Sequence, residues 1–144
     1  MHLSKAGALV SILLMMSACQ EIYQIKVFGE PFAPVFESEK PLYFGAGASI
    51  SLSEYDWQTN KTVQVWLIER AQGAKAAFVS RVKYGELPDG FVALTATKPL
   101  KPEVVYVAYF SAGGGTSALG HFKILYDGTT SKLVNVDSRG EPKQ

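Results

Sequence analysis

A period of two residues, in which apolar and polar side chains alternate, is the feature that most constrains the fold of this chain. The clearest example covers residues 48–53, where three apolar residues alternate with three serines. This spacing places apolar side chains on one face of a β-strand. Similar patterns predict strands over residues 23–27, 63–68, 75–84, 91–98, 104–111, 121–126 and 133–136. Because no stretch after residue 19 keeps a helical period, the sequence predicts an all-β fold.

Seven or eight short strands separated by turns are typical of an antiparallel β-sandwich or a small barrel. The length of 144 residues suits a single domain. Two connections are predicted as long loops. Residues 29–40 contain Pro31 and Pro34, and residues 111–120 contain three consecutive glycines.

Residues 100–106, which lead into the strand predicted over residues 104–111, include Leu100, Pro102 and Tyr106. This spacing resembles the tyrosine corner of fibronectin type III domains. The resemblance implies an immunoglobulin-like sandwich in which the Tyr106 hydroxyl bonds to backbone a few residues upstream. The alternative is an ordinary proline-containing loop that precedes a strand with a core tyrosine.

The N-terminal segment has the plan of an export signal. Lys5 lies in a short basic start, residues 6–16 are uncharged, and small residues follow. The uncharged run is shorter than the ~20 residues that a membrane-spanning helix needs. This pattern is typical of a secretory signal peptide that is removed from the mature protein.

The sequence Met16-Ser17-Ala18-Cys19 resembles the lipobox of bacterial lipoproteins, although that family usually has leucine in place of Met16. The resemblance implies a diacylglyceryl thioether on Cys19, cleavage between Ala18 and Cys19, and acylation of the new amine by a fatty acid such as palmitate. Gln20, in place of aspartate, implies an outer-membrane lipoprotein that faces the periplasm. The alternative is an ordinary signal peptide cut after Ala18.

These patterns divide the chain into a signal peptide (1–18), a β-sandwich domain (19–137) and a polar C-terminal tail (138–144). The chain has 14 basic and 13 acidic residues, and removal of the signal peptide takes away one lysine. A nearly neutral domain without a basic cluster argues against nucleic acid as a partner. Cys19 is the only cysteine, so no internal disulfide is predicted.

Catalytic motifs are sparse in the mature sequence, and no cofactor or metal is predicted. His121 is the only histidine after the signal peptide, and no Gly-x-Ser-x-Gly motif accompanies the nearby Ser111 and Ser117. One histidine and no free thiol do not make a Cys/His zinc site. The acidic pairs at residues 37 and 39 and at residues 54 and 56 are typical of solvated turns. The protein is therefore predicted to be non-enzymatic.

The sequence favours a lipid-anchored envelope protein with a structural or interaction role, docking on an envelope protein partner. The alternative is a module that binds a glycan or a peptide through exposed aromatic residues and the 111–120 loop, or an enzyme-inhibitor lipoprotein, a role that needs only a protruding loop. The candidate contact residues for a ligand or partner are Tyr55, Trp57, Gly114, Thr116, Ser117 and His121.

Overall fold

A computed structural model of the protein describes residues 21–144. The predicted signal peptide, the cleavage site at Ala18 and the lipidation site at Cys19 lie outside these residues. The described chain forms nine strands: β1 (Glu21–Glu30), β2 (Ala33–Phe44), β3 (Ser49–Asp56), β4 (Lys61–Arg70), β5 (Ala77–Lys83), β6 (Phe91–Ala93), β7 (Val105–Gly113), β8 (Thr116–Tyr126) and β9 (Ser131–Val136).

The strands form one curled sheet in the order β5-β2-β1-β8-β7-β3-β4-β6, with β9 also paired to β8. Strand β1 joins the two halves of this sheet. Its first four residues pair with β8, and the residues from Ile25 onward pair with β2. The predicted all-β, sandwich-like fold is confirmed, with nine strands rather than seven or eight. All strand pairs are antiparallel except β1 with β8, which run parallel.

The prediction of a loop over residues 29–40 is wrong, because β1 and β2 form a hairpin there. The prolines that suggested a loop occupy positions where a sheet tolerates them. Pro31 lies in the turn, Pro34 lies at the start of β2, and Pro41 lies in an irregular stretch between the two paired segments of β2 and β5.

The predicted loop over residues 111–120 is also wrong. Strand β7 continues to Gly113 and β8 begins at Thr116, so only Gly114 and Gly115 form the turn. Both glycines have positive φ angles, of 64° and 79°. A two-residue hairpin turn needs this conformation, which glycine adopts without steric cost. Serine and alanine residues that suggested a loop belong instead to paired strands.

The predicted strand over residues 91–98 is shorter in the structure, where β6 ends at Ala93. The chain nevertheless continues along β4. The Leu94 N–H donates to the Leu67 carbonyl at 2.9 Å, and the Thr95 hydroxyl accepts from the Leu67 N–H at 3.0 Å. A side chain therefore replaces a backbone acceptor, and the regular ladder ends.

The hydrophobic core lies between the two halves of the curled sheet. Phe36 of β2 contacts Trp66 of β4 and Phe122 of β8, with ring centroids 6.2 and 5.9 Å apart. Phe44 of β2 similarly contacts Phe110 of β7 at 6.1 Å. Each of these aromatic side chains is almost fully buried. Aromatic pairs at these separations stabilise a core beyond the area that they bury.

Tyr106 makes the hydrogen bond that the tyrosine-corner resemblance implies. Its hydroxyl accepts from the Lys101 backbone N–H at 2.7 Å, and its ring is fully buried and stacks on Phe122 at 5.3 Å. Burial raises the pKa of the Tyr106 hydroxyl. The contact fixes the segment that leads into β7.

The two ends of the sandwich differ in composition. The glycine-rich end consists of the connections at residues 45–48, 71–76 and 114–115 and of residues 88–90, in which Lys75 and Asp89 are the charged residues. The charged end consists of the turns at residues 31–32, 57–60 and 127–130 and of residues 101–103. The connections of the charged end contain Lys101, Glu103 and Asp127, and Glu30, Asp56 and Lys61 flank them; at the glycine-rich end the flanking charged residue is the buried Arg70.

Arg70 holds together the connections near the glycine-rich end. It is only 7% exposed, and its guanidinium donates to the Asp89 carbonyl at 2.7 Å and to the Lys75 carbonyl. The same group lies over the Phe91 ring, 5.2 Å from its centroid. One buried cation therefore links the end of β4 to the two neighbouring loops.

The C-terminal residues 138–144 turn back onto β9. The Asp137 N–H donates to the Glu141 carbonyl at 2.8 Å, and the Lys143 N–H donates to the Asn135 carbonyl at 3.2 Å. Val136 also forms an isolated bridge with Pro142. The polar tail thus has defined contacts with the domain.

Candidate functional site

The described chain begins at the glycine-rich end. The Glu21 backbone N–H donates to the Gly115 carbonyl at 3.1 Å, and Glu21 pairs with Thr116 in the parallel ladder of β1 and β8. Cys19 precedes Glu21 by two positions, and two extended residues span at most about 7 Å. A lipid on Cys19 would therefore hold the β7–β8 turn close to the bilayer surface.

A shallow groove of about 210 Å³ runs beside this turn, lined by Ile22, Tyr109, Ser111, Gly113, Gly115, Thr116, Ser117 and Leu119. We call it the hairpin groove. Two of the candidate contact residues, Thr116 and Ser117, lie in it. Ile22 is 62% exposed although it belongs to a strand. The groove therefore combines exposed apolar side chains with hydroxyl groups.

The hairpin groove continues across the outward face of the large half of the sheet. In register, Leu119 lies opposite Tyr109, Tyr109 opposite Ser51, and Ser51 opposite Leu67. The inward residues of β3, β7 and β8 alternate with these positions and are buried, so this row faces outward. The row contains no charged residue. We call the row together with the hairpin groove the outward face.

Tyr55 and His121 meet on the same side of the sheet, farther from the glycine-rich end. Their ring centroids are 5.8 Å apart, and the Tyr55 hydroxyl bonds to the Asn60 side chain at 3.1 Å. Burial, and secondarily the positive charge of Lys143, lower the pKa of His121, while the Asp137 carboxylate opposes this shift. The histidine therefore favours its neutral form.

His121 and the serines considered with it are not brought together. Ser117 precedes His121 by four residues on β8, which corresponds to about 13 Å along a strand. Ser111 pairs with Ser117, and Asp127 follows the opposite end of β8. This placement does not form a hydrolytic triad.

The C-terminal segment lies over the outward side near Tyr55 and His121. The Arg139 guanidinium lies 5.7 Å from the centroid of the Trp57 ring, and the Lys143 ammonium donates to the Gln24 side chain at 3.0 Å. A Cβ atom on Gly140 would approach a Val105 methyl to 2.8 Å, so the backbone packs closely on β7. Trp57, which is 45% exposed, is thus partly engaged within the molecule.

The six candidate contact residues therefore fall into two groups. Thr116 and Ser117 line the hairpin groove, and Gly114 lies in the adjoining turn. Tyr55 and His121 contact each other near the C-terminal segment, which also contacts Trp57. The structure does not join the two groups in one pocket.

A cavity of about 540 Å³ lies where β1 leaves β8, and Glu37, Glu39, Asn135 and Lys143 are among its lining residues. Its polar groups already bond within the protein. Glu37 pairs with Arg81 at 2.6 Å, and Glu39 accepts from the Gln24 N–H at 2.6 Å. The Asn135 amide bonds to both the N–H and the carbonyl of Val27, at 2.9 and 2.8 Å. The Asn135 side chain thus bonds to the backbone of β1 on the edge where β1 has no paired strand.

The second acidic pair also has internal partners. Glu54 lies 3.3 Å from the Lys101 ammonium, and Asp56 accepts from the Gln58 N–H at 3.0 Å.

Residues 21–144 hold no cluster of three or more histidine, cysteine or acidic side chains suited to a metal ion. They also hold no helix with the length and apolarity needed to cross a membrane.

Comparison with known proteins gives no relative: no protein-family model matches this chain, and neither a curated protein nor a solved structure matches it.

Sequence reasoning missed the main constituents of the outward face. Tyr109 and Leu119 were in segments predicted as a strand and a loop, and Ile22 preceded the first predicted strand. If the period-two alternation is extended through the glycines, Leu119 falls on one face of the strand and the buried Ala118 and Gly120 fall on the other. The contact of Arg139 with Trp57 joins distant parts of the sequence, and no local signal reveals it.

Proposed function

We propose that the protein is a non-enzymatic lipoprotein of the bacterial envelope, anchored by lipid on Cys19, whose β-sandwich docks on an envelope protein. In this proposal the protein resides at the outer membrane and faces the periplasm. The body acts as a scaffold presented close to the membrane.

The observation that carries this proposal is the position of the first strand. Glu21 already pairs with β8 and bonds to Gly115, only two positions after the cysteine of the lipobox-like sequence. The chain therefore has little slack between the proposed lipid and the folded body. Such a tether suits a protein that must hold a surface at a fixed height above the membrane.

The outward face is the surface that we assign to the partner. Its row of Leu119, Tyr109, Ser51 and Leu67 is uncharged, and Ile22 extends it toward the proposed anchor. Uncharged surfaces with an exposed aromatic residue match the central part of protein–protein interfaces, where charged residues are depleted and tyrosine is enriched. The small serines leave the strands accessible to a flat partner.

The test is co-purification of the lipidated protein from membranes, with three variants compared to the wild type. Tyr109→Glu places a charge on the outward face, Tyr126→Glu places one at the charged end, and Cys19→Ser removes the lipidation site. We expect a stoichiometric envelope partner that is lost with Tyr109→Glu and retained with Tyr126→Glu. Wild-type protein without lipid, or a partner retained by Tyr109→Glu, would contradict the proposal.

A second candidate function is the binding of a glycan or peptide, which the contact between Tyr55 and His121 and the exposure of Trp57 favour. Displacement of Arg139 would free the Trp57 ring for stacking on a ligand. A saturable change in tryptophan fluorescence with cell-wall fragments, lost in Trp57→Ala, would support this candidate. Absence of any change would count against it.

A further inference from the structure

We infer that the glycine-rich end of the sandwich rests on the phospholipid surface, with the aromatic side chains of Tyr43 and Phe78 in the membrane interface. This inference rests on the proposed lipid anchor. It adds a second contact between the body and the bilayer, and it fixes the orientation in which the outward face is presented.

Tyr43 and Phe78 form an exposed aromatic pair at this end. They lie opposite each other on β2 and β5, and their ring centroids are 5.2 Å apart. Their side chains are 56% and 72% exposed, although each is flanked by strand residues that point inward. Tyrosine combines an apolar ring with a polar hydroxyl, which suits the boundary between lipid and water.

The aromatic pair is continuous with the place where the chain enters the body. Tyr43 and Ala46 line a cavity of about 420 Å³ together with Gly113, Gly114 and Thr116 of the β7–β8 hairpin. Thr116 also lines the hairpin groove beside Ile22. An uncharged band thus runs from Phe78 around the end of the sandwich to the residue next to Glu21.

Two features of this end of the sandwich favour a lipid surface as the occupant of this band. The first is geometric: at most about 7 Å of chain separates Glu21 from the cysteine proposed to carry the lipid. The second is electrostatic, because the connections at this end, together with residues 88–90, carry only one lysine and one aspartate, Lys75 and Asp89, so no cluster of charge lies there. Apolar and aromatic residues without charges avoid the cost of bringing ionised groups into the lipid interface. Because little charge is involved, binding should not depend on salt.

The test uses the full chain, lipidated in bacteria and reconstituted in phosphatidylcholine vesicles with brominated acyl chains, which quench nearby tryptophan. The reporter is Phe78→Trp in a Trp57→Phe background, where the native Trp66 stays buried in the core. The matched reporter is Phe32→Trp in the same background, since Phe32 is also exposed but lies at the charged end. Mass spectrometry first establishes whether the protein carries lipid.

We expect brominated lipid to cause a loss of emission and plain vesicles to cause a blue shift for the tryptophan at position 78, with neither change at position 32. Lipidated protein in which position 78 is not quenched, or in which both positions are quenched equally, overturns this inference and leaves the anchor intact. Protein without lipid overturns the anchor and the inference together.

Hydrogen exchange provides a second measurement without a reporter substitution. On vesicles, the lipidated wild type should exchange more slowly than the Cys19→Ser protein at residues 43–47 and 113–116, and equally at residues 57–60. Slowing confined to residues 57–60, or no slowing at all, would overturn the inference.

Discussion

The two ends of this sandwich are formed by connections between the same strands, but different residues stabilise the turns at each end. At the charged end, the turn at residues 127–130 combines a positive φ angle at Gly128 with a side-chain cap: Asp127 accepts hydrogen bonds from the backbone N–H groups of Thr129 and Thr130, both at 2.8 Å. At the glycine-rich end, backbone conformation closes the β7–β8 turn, through the positive φ angles of Gly114 and Gly115. Polar caps suit a turn in water, whereas a bare glycine turn leaves a surface that tolerates an apolar neighbour.

A buried polar group also holds backbone segments together at each end. At the charged end, the buried Tyr106 hydroxyl accepts a hydrogen bond from one backbone donor, the Lys101 N–H. The glycine-rich end has Arg70, whose buried guanidinium serves two loop carbonyls. Tyr106 and Arg70 therefore each hold neighbouring backbone segments, and substitutions can test the two residues separately.

The largest effect is expected at the crossing of β1 and β8. A Cβ atom on the buried Gly120 would clash with the Ile25 carbonyl oxygen and Cβ atom. Gly120→Ala should therefore lower the free energy of unfolding by about 3 kcal/mol and weaken the attachment of residues 21–24. Urea denaturation measures the first effect, and hydrogen exchange in β1 measures the second.

Gly45→Ala is the matched control, because Gly45 has space around its Cβ position and no positive φ angle. It should change the free energy of unfolding little. Equal stabilities for the two variants would contradict the close approach of β1 to β8.

The next effect concerns Arg70 at the glycine-rich end. Arg70→Ala removes hydrogen bonds from a cation to the carbonyls of Lys75 and Asp89, so it should lower the free energy of unfolding by roughly 2–3 kcal/mol. Proteolysis should also become faster in residues 71–76. Arg81→Ala, which removes an exposed ion pair with Glu37, is the control and should cost less than about 1 kcal/mol. The reverse ranking would contradict the role assigned to Arg70.

A smaller effect is expected for Tyr106→Phe at the charged end. The variant keeps the buried ring and leaves the Lys101 N–H without its acceptor, which should cost about 1–2 kcal/mol in thermal or chemical denaturation. Tyr109→Phe provides the comparison, since Tyr109 lies on the outward face. If Tyr109→Phe lost as much stability as Tyr106→Phe, the hydrogen bond between Tyr106 and Lys101 would not be the cause.

The smallest effect depends on pH and tests the turn at Asp127. Backbone hydrogen bonds from Thr130 and Thr129 lower the pKa of Asp127 from 3.8 to about 2. A carboxylate with a lowered pKa stabilises the fold above the pKa of its unfolded state, and this contribution is lost as the pH falls from 3.8 toward about 2. Asp127→Asn should therefore be less stable than the wild type at neutral pH, and the gap should close in that acidic range. A gap independent of pH would show that the carboxylate charge is not responsible.

The sequence predicts the fold class and most of the strands, because alternation such as that in residues 48–53 reports which face of a strand is buried. Prediction from the sequence fails where proline and glycine, which are typical of loops, lie within or beside strands. Pro34 lies at the start of a strand and Pro41 in an irregular stretch, and three glycines make a turn of only two residues. Composition alone does not distinguish these cases from loops.

The candidate site was predictable only in parts. Thr116 and Ser117 were identified from a supposed loop, and the structure places them in a groove with Ile22 and Tyr109. That grouping depends on the parallel pairing of β1 with β8, which is set by contacts between residues far apart in sequence. Period and propensity act over neighbouring residues, so they do not report such pairing.

The most direct test of the account is the depth of each end of the sandwich relative to the bilayer. Ala46→Cys and Thr59→Cys each place one spin label, on the glycine-rich end and the charged end respectively. If Cys19 is a lipid thioether, only the introduced thiol reacts, so the labelling stoichiometry reports lipidation. Collision with a lipid-soluble or a water-soluble relaxation agent then gives the depth of the label. We predict one label per protein, with position 46 at the lipid interface and position 59 in water. Two labels per protein, or position 59 nearer the lipid, would contradict the account.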